Sequence, residues 1–287
     1  IINLLTIMHA PVYYRILIAL LLLVVSGIKA LAAEETRNVG AFTRLIVQGP
    51  FKVRLVQGAA PKVRILAEQA QLGNVITQSR ADYLEILLKE RQVFAKAPNI
   101  ELEITYQNIT ALELKSAADV EGLDPLSTDT LHLQQSGSSQ LYLKAPLALR
   151  KLNIAISGAA QATFNGKVEA MSCTISGAGE VTGDKLSGDL LTLNLSGAGK
   201  ATLSGAIGRA TINLSGAGTL KASTLKTQEM TLKANAGSSA YVHVTEQFDV
   251  TASSGARVRY AGLPKQINPK ISSGGSLKPL DPSGNDN

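Results

Sequence analysis

Hydrophobic and polar residues alternate along the chain in short runs that end at turn-forming residues. In the runs that start at Phe51 and Lys62, lysine and arginine fall on the opposite phase from valine, leucine and isoleucine. A period of two is typical of β-strands with one buried and one wet face. The pattern predicts strands over residues 42–48, 51–57, 62–67, 83–89 and 100–106, and a short helical or irregular connection over 68–76.

From residue 109 onward a repeat of about 20 residues dominates the pattern. The tetrapeptide Ser-Gly-Ala-Gly begins at residues 176, 196 and 215, and Ser-Gly pairs at 136 and 157 extend the series with similar spacing. Each copy follows an alternating apolar run that places Ile154, Cys173, Leu193 and Ile212 at equivalent positions. A unit this short, containing a strand and a glycine corner, favours one coil of a parallel β-helix over a helix-pair repeat.

The Ser-Gly corners have a structural explanation in such a fold. Coils stack about 4.8 Å apart, glycine supplies positive φ where the chain turns, and serine bonds the local backbone or the next coil. Outward Thr and Asn residues favour ladders between coils, as predicted for Thr192 on Thr211. The predicted structural corner residues are Ser136, Gly137, Ser157, Gly158, Ser176, Gly177, Gly179, Ser196, Gly197, Gly199, Ser215, Gly216 and Gly218.

The chain is therefore predicted to be all-β, a single-stranded right-handed parallel β-helix with N-terminal strands capping one end. The right hand is favoured because the six-residue repeat of left-handed helices is not visible. Residues 33–110 form an N-terminal strand region continuous with the helix, 111–280 the repeat, and 281–287 a disordered tail. Exposed strand edges promote aggregation, so the N-terminal strands and residues 264–287 are expected to cover the two ends.

The N-terminal segment predicts export. Arg15 precedes an apolar run over residues 16–25, and Ala30-Leu31-Ala32 provides a small-residue cleavage site, which together are typical of a signal peptide over residues 1–32. Met8 is taken as the start, so residues 1–7 are interpreted as non-native. The alternative is an uncleaved anchor, but the run is short for a membrane span of about 20 residues. We expect a bacterial protein in the periplasm or at the cell surface, without a transmembrane segment after cleavage.

Composition and charge exclude several classes of function. The net charge of +6 falls to +4 without Arg15 and Lys29, and the basic residues are scattered among carboxylates. No basic patch or recognised motif predicts a nucleic-acid partner, although mild attraction to anionic glycans or lipid headgroups is compatible with the charge. Cys173 is the single cysteine, so an internal disulfide is excluded, and its inward phase predicts a place in the core.

No cofactor or metal site is predicted. His132 and His243 occupy outward phases without a nearby cluster of metal-ligating residues. The glycine corners lack the following Lys-Ser/Thr of a phosphate-binding loop.

In three places the sequence resembles an exported bacterial family labelled putative auto-transporter adhesin, head GIN domain. These are the opening Phe42-Thr-Arg-Leu-Ile-Val-Gln-Gly-Pro-Phe-Lys-Val-Arg-Leu-Val-Gln-Gly, the recurring Ser-Gly-Ala-Gly, and Tyr260-Ala-Gly-Leu-Pro followed by Ser273-Gly-Gly-Ser. The resemblance covers roughly residues 39–280. It implies a right-handed β-helix outside the cytoplasm with no established biochemical activity.

Two functional hypotheses follow, and a weaker third. The first is a non-enzymatic, adhesin-like or envelope scaffold that binds a glycan or another envelope protein along a flat face. The alternative is a carbohydrate-active enzyme resembling a polysaccharide lyase or glycosidase, with Asp119, Asp124 and Asp129 as a weak candidate surface site around residues 122–129. The third is a homo-oligomer formed through exposed coils. Trp is absent, so the aromatic platforms left for a sugar are Tyr83, Tyr106, Tyr142, Tyr241 and Tyr260.

Overall fold

A computed structural model describes residues 32–89 and 99–280. The predicted signal peptide (except Ala32) and the predicted tail over 281–287 lie outside these residues. The elements are β1 (Ala32–Asn38), β2 (Arg44–Gln48), β3 (Phe51–Gln57), β4 (Lys62–Glu68), α1 (Gln69–Leu72), β5 (Val75–Arg80), β6 (Tyr83–Leu88), β7 (Ile100–Tyr106), β8 (Ala111–Lys115), β9 (Asp119–Gly122), β10 (Ser127–Gln135), β11 (Gln140–Leu143), β12 (Leu147–Ile156), β13 (Gln161–Gly177), β14 (Glu180–Gly197), β15 (Lys200–Gly216), β16 (Thr219–Ala234), β17 (Ser239–Ala252), β18 (Arg257–Ala261), β19 (Gln266–Ile271) and β20 (Ser276–Pro279).

From β8 onward the chain winds into a stack of parallel coils. In consecutive coils Ile154 pairs with Cys173, Cys173 with Leu193, and Leu193 with Ile212. The result is a β-solenoid of about eight turns, which confirms the predicted β-helix. Its right hand stays a prediction.

Each coil contributes to two faces that meet at the Ser-Gly corner. We call face A the strands before the corner, which include β2, β8, β10 and the segments through Cys173, Leu193 and Ile212. Face B contains the strands after the corner: β7, β3, β9, β11, the first residues of β13 to β17, β18 and β20.

Aliphatic columns fill the interior between the faces. Ile154, Cys173, Leu193 and Ile212 are all buried, and each large apolar side chain of this kind stabilises the fold by about 1.5–3 kcal/mol. Burial raises the pKa of the Cys173 thiol to about 12. The thiol therefore stays protonated at neutral pH and packs as a small apolar group, as its phase in the sequence predicts.

The corners stack directly on one another. Gly177 and Gly197 pair in register and have φ values of +90° and +93°. A Cβ atom on Gly197 would lie 2.6 Å from the carbonyl oxygen of Gly177, so this position needs glycine both for its backbone angle and for the close approach of the coils. The same carbonyl accepts a hydrogen bond from the Ala198 N–H at 2.9 Å.

Corner serines bond the backbone of the preceding coil. The hydroxyl of Ser176 donates to the Ile156 carbonyl at 3.3 Å, and that of Ser196 to the Ile175 carbonyl at 3.4 Å. These contacts link one coil to the next at the bend. The serines therefore have a structural role at this position.

The N-terminal coils do not stack in the order of the sequence. Strand β2 lies between β6 and β8, and β3 lies between β7 and β9. The coil formed by β6 and β7 therefore stacks on the N-terminal side of the coil formed by β2 and β3, although it comes later in the sequence. We call it the inserted coil. Strands β4 and β5 then run antiparallel to β7 and β6, and β1 runs antiparallel to β4. Together β1, β4, β5 and α1 form the cap of this end.

Two strands of the cap, β1 and β5, were not expected from the pattern. Strand β1 has the sequence Ala-Ala-Glu-Glu-Thr-Arg-Asn, which lacks apolar alternation, and it is held by antiparallel backbone pairing with β4. Arg64 contacts Glu34 across this pair at 2.6 Å. The predicted connection over 68–76 forms the single turn α1 and then enters β5.

The expectation that residues 264–287 cover the C-terminal end is wrong for their described part. Strands β19 and β20 continue the stack as its last coil, pairing in parallel with β17 and β18. They do not fold back across the end, and Ile271 in the last coil remains 43% exposed.

Candidate functional site

The three candidate aspartates lie at separate places on the solenoid. Asp119 begins β9, Asp124 follows the end of the same strand, and Asp129 lies within β10. The cleft that Asp119 lines includes neither Asp124 nor Asp129 among its residues. The three carboxylates therefore do not line one cleft.

Asp124 and Asp129 are engaged by neighbouring groups. Asp124 accepts a hydrogen bond from the backbone N–H of Gln57 at 2.6 Å. Asp129 contacts Arg150 at 2.5 Å, and the hydrogen bond from this arginine lowers the pKa of the Asp129 carboxyl. Both groups tie neighbouring strands together.

Asp119 lies in an open cleft on face B, which we call the Tyr142 cleft. The cleft has a volume of about 380 Å³ and is lined by Lys52, Val53, Arg54, Glu101, Asp119, Glu121 and Tyr142. These residues come from the neighbouring strands β7, β3, β9 and β11. Except for Val53, they occupy outward phases of those strands, so the register of the sheet assembles the site.

Charges in the Tyr142 cleft alternate in sign from strand to strand. Lys52 lies between Glu101 and Asp119 in register, and Arg54 pairs in register with Glu121. Glu121 also forms an ion pair with Lys144, which extends from the end of β11. A glycosidase-type acid needs a carboxyl group kept protonated in an apolar setting, whereas Glu121 lies beside two cations. The arrangement is better suited to binding polar groups than to proton transfer.

Tyr142 supplies an exposed aromatic surface in this cleft. It is 48% exposed and follows Glu121 in the outward column of face B. A tyrosine ring offers an apolar face together with a hydroxyl group, a combination that suits the mixed surface of a sugar. Of the other tyrosines proposed as platforms, Tyr106 is buried.

Sequence reasoning did not identify Lys52, Arg54, Glu101 and Glu121 as members of a site. The available signal was their outward phase in alternating strands. Their proximity depends on the inserted coil of β6 and β7, which the linear pattern does not reveal.

Face A carries a regular polar surface in its central coils. Thr192 pairs in register with Thr211, as predicted, and Asn194 with Asn213. The side-chain amide of Asn213 donates to the side-chain oxygen of Asn194 at 2.9 Å. This ladder satisfies polar groups between coils and leaves a flat face.

Residues 32–89 and 99–280 contain no group of three or more His, Cys, Asp or Glu side chains able to hold a metal ion. His132 is exposed and lies 3.4 Å from the Asn153 amide, and His243 lies 3.3 Å from the Ser223 carbonyl. Within the same residues, no helix has the length and hydrophobicity needed to cross a membrane.

Comparison with known families and proteins gives one family. The family model described as "Putative auto-transporter adhesin, head GIN domain" matches residues 41–203 and 186–264. The resemblance drawn from the sequence motifs is therefore confirmed. No curated protein matches the chain.

Several solved structures share the fold. A Parabacteroides distasonis protein described as a putative lipid binding protein is 16% identical, with a TM-score of 0.65, over 88% of this chain and 98% of its own. A putative adhesin from Parabacteroides merdae is 17% identical, with a TM-score of 0.63 and the same coverage. A putative adhesin from P. distasonis is 18% identical, with a TM-score of 0.65, also over 88% and 98% of the two chains. At these identities the similarity concerns the fold.

Proposed function

Because the chain belongs to the "Putative auto-transporter adhesin, head GIN domain" family, we propose that it is an exported, non-enzymatic binding module of the cell envelope. Its partner is a glycan or another envelope protein held against face B. The periplasm and the cell surface are both compatible with this role. The family label and the adhesin label of two structural neighbours support a binding role.

The Tyr142 cleft is the observation that carries the proposal. An exposed aromatic ring lies beside cationic and anionic side chains on a rigid set of stacked strands. A preformed surface loses little conformational entropy when a ligand binds. The cleft can therefore hold a polar ligand without rearranging.

Catalysis is less well supported by the candidate carboxylates. Glycoside hydrolysis needs two carboxyl groups at a defined separation on either side of one bond. Asp124 and Asp129 instead contact Gln57 and Arg150 on separate strands. Side-chain columns also fill the interior, with Phe164 among them, so a ligand is expected on the surface of the coil.

The proposal is tested by binding and turnover measurements on the same samples. Immobilised glycans and a panel of soluble polysaccharides are presented to the purified protein, and new reducing ends or unsaturated products are followed over time. Binding without product formation is expected. Tyr142→Ala should weaken binding about tenfold, in the range of an aromatic anchor, whereas Tyr83→Ala in β6 should leave it unchanged.

Saturable product formation would overturn the proposal. In that case Asp119→Asn, Asp124→Asn and Asp129→Asn would show whether the candidate aspartates are responsible. Equal loss of binding in Tyr142→Ala and Tyr83→Ala would show that the Tyr142 cleft is not the binding site.

A further inference from the structure

Among the described residues, the strands in the C-terminal half of face B carry outward lysine and arginine side chains and no Asp or Glu. Its strand segments cover residues 219–223, 239–243, 257–261 and 276–279, and none of them contains Asp or Glu. We call the basic strip the set of outward residues Lys221, Tyr241, Arg257, Arg259 and Lys278.

The sheet register aligns this strip. Lys221 pairs with Tyr241, Tyr241 with Arg259, and Arg259 with Lys278, so four consecutive strands place one column of side chains about 4.8 Å apart. Arg257 lies in the adjacent outward column, opposite Ser239. Lys221, Arg257 and Lys278 are exposed.

Carboxylates of β14, β16 and β17 form ion pairs outside the strip. Glu180 pairs with Lys200 at 2.5 Å, Glu229 with Arg209 at 2.8 Å, and Glu246 with Lys265 at 2.5 Å. Within residues 32–89 and 99–280, Lys221, Arg257 and Lys278 form no ion pair. Their charges therefore remain available to a ligand.

The N-terminal half of face B differs in charge. There Lys52 and Arg54 alternate with Glu101, Asp119 and Glu121, and Glu121 is held by Lys144. A second copy of this chain would thus present mixed, partly neutralised charge to the basic strip. An external polyanion complements it better.

We propose that the basic strip binds an acidic polysaccharide. Lys221, Arg257 and Lys278 contact carboxylate groups of successive sugars, while the Tyr241 ring packs against a sugar face. A row of like charges on a low-dielectric wall concentrates anionic ligands. This inference rests on the proposed function, because it names the class of ligand that face B binds.

The experiment uses the full chain with polygalacturonate as the probe and dextran as the neutral control. Calorimetric titration at low and at physiological salt should show binding to polygalacturonate that weakens with salt, because exposed charges are screened. The double variant Lys221→Gln/Lys278→Gln should lower the affinity about tenfold, as two exposed ionic contacts predict. The matched variant Lys233→Gln/Lys270→Gln removes the same charge from face A and should bind like the unmodified protein. Thermal melts check that both variants fold.

Three results would overturn the proposal that the basic strip binds an acidic polysaccharide. Equal loss in the two double variants would mean attraction by net charge, and binding to phosphatidylglycerol vesicles without binding to polygalacturonate would assign the strip to lipid headgroups. Absence of binding to both probes would also overturn the inference.

Different results would contradict the proposed function and the proposal for the basic strip. Binding of a neutral glycan that is sensitive to Tyr142→Ala would preserve the proposed function after the strip has failed. Depolymerisation of polygalacturonate would overturn the non-enzymatic role, while the affinities of the charge variants would still report on the strip.

Discussion

At the N-terminal end of the solenoid, the cap buries most apolar side chains of the end coil, whereas at the C-terminal end the last coil leaves its apolar side chains partly exposed. Ile65 in β4 and Leu84 in β6 are fully buried, but Ile271 in β19 is 43% exposed. The cap consists of strands that cross the end in antiparallel pairing. Within the described residues, no strand pairs with the outer edges of β19 and β20.

The two ends deal with unpaired strand edges in different ways. The N-terminal end covers its edge with protein. The C-terminal end carries Pro269 and Pro279 in its last strands, together with Lys270 and Lys278. Proline removes a backbone N–H donor and lysine disfavours close pairing, so both discourage the addition of another strand. Antiparallel strands cover the N-terminal edge, whereas proline and lysine residues disfavour the addition of another strand at the C-terminal edge.

The largest expected effect comes from truncating the same residue type at both ends. Ile65→Ala should lower the free energy of unfolding by about 3–4 kcal/mol, because it opens a cavity in the buried cap. Ile271→Ala should lower it by less than about 1 kcal/mol, since its side chain is already partly in solvent. Urea denaturation of the two variants measures the difference. Equal losses would mean that the last coil is covered in solution.

A corner glycine inside the stack should matter more than one near the open end. Gly197→Ala is expected to cost about 2–3 kcal/mol, because the new Cβ atom meets the Gly177 carbonyl oxygen at 2.6 Å in a left-handed backbone. Gly255 also has a positive φ, but a Cβ atom there meets nothing within 4 Å. Gly255→Ala should therefore cost about 1 kcal/mol. Denaturant titration gives both values, and a reversed order would contradict the stacked-corner explanation.

Arg37 holds the parts of the cap together. Its guanidinium group donates to the Val75 carbonyl at 2.6 Å and to the Thr77 hydroxyl at 2.9 Å. Arg37→Ala should lower the free energy of unfolding by about 2 kcal/mol, the range for hydrogen bonds from a charged donor. Arg37→Lys should restore little, because lysine lacks the planar fork.

The matched control is Arg257→Ala at the other end, which removes an exposed arginine without an ion pair among the described residues. It should change the unfolding free energy by less than about 0.5 kcal/mol. A similar loss in both arginine variants would exclude a special role for Arg37.

The smallest expected effect is a difference in acid sensitivity. Burial raises the pKa of the Glu113 carboxyl, but hydrogen bonds from Lys115 and Arg44 outweigh this effect, so the pKa lies below the usual value for a glutamate. The associated stability is fully present above about pH 4.5 and is lost as the pH falls through the lower folded-state pKa. Glu113→Gln should therefore reduce the loss of stability between neutral pH and pH 3, by less than about 1 kcal/mol. Denaturant titrations at the two pH values measure this, and an unchanged pH dependence would contradict the assignment.

The core of the repeat was predictable because its signal is local. Ile154, Cys173, Leu193 and Ile212 alternate with polar residues, and the glycine spacing sets which of them stack. The Gly177 corner could be assigned for the same reason. Local period and turn chemistry agree throughout this region.

The cap and the Tyr142 cleft depend on long-range pairing instead. Strand β1 is polar and takes its conformation from β4, about 30 residues later in the sequence. Lys52 and Tyr142 share a cleft because β9 lies between their strands in the sheet, and Glu101 joins them because the inserted coil places β7 on the other edge of β3. Neither pairing leaves a periodic trace in the sequence.

The inserted coil also has a consequence for how the chain folds. Strands β2 and β3 are synthesised early in the chain. Both of their edges are paired only after residues 83–122, which supply β6 to β9, have been synthesised. Such non-local contacts are slow to form because a long loop must close first. Each later coil, by contrast, meets a finished edge and can add to it directly. We therefore expect the N-terminal region to limit the rate of folding, with the remaining coils propagating from it in one direction.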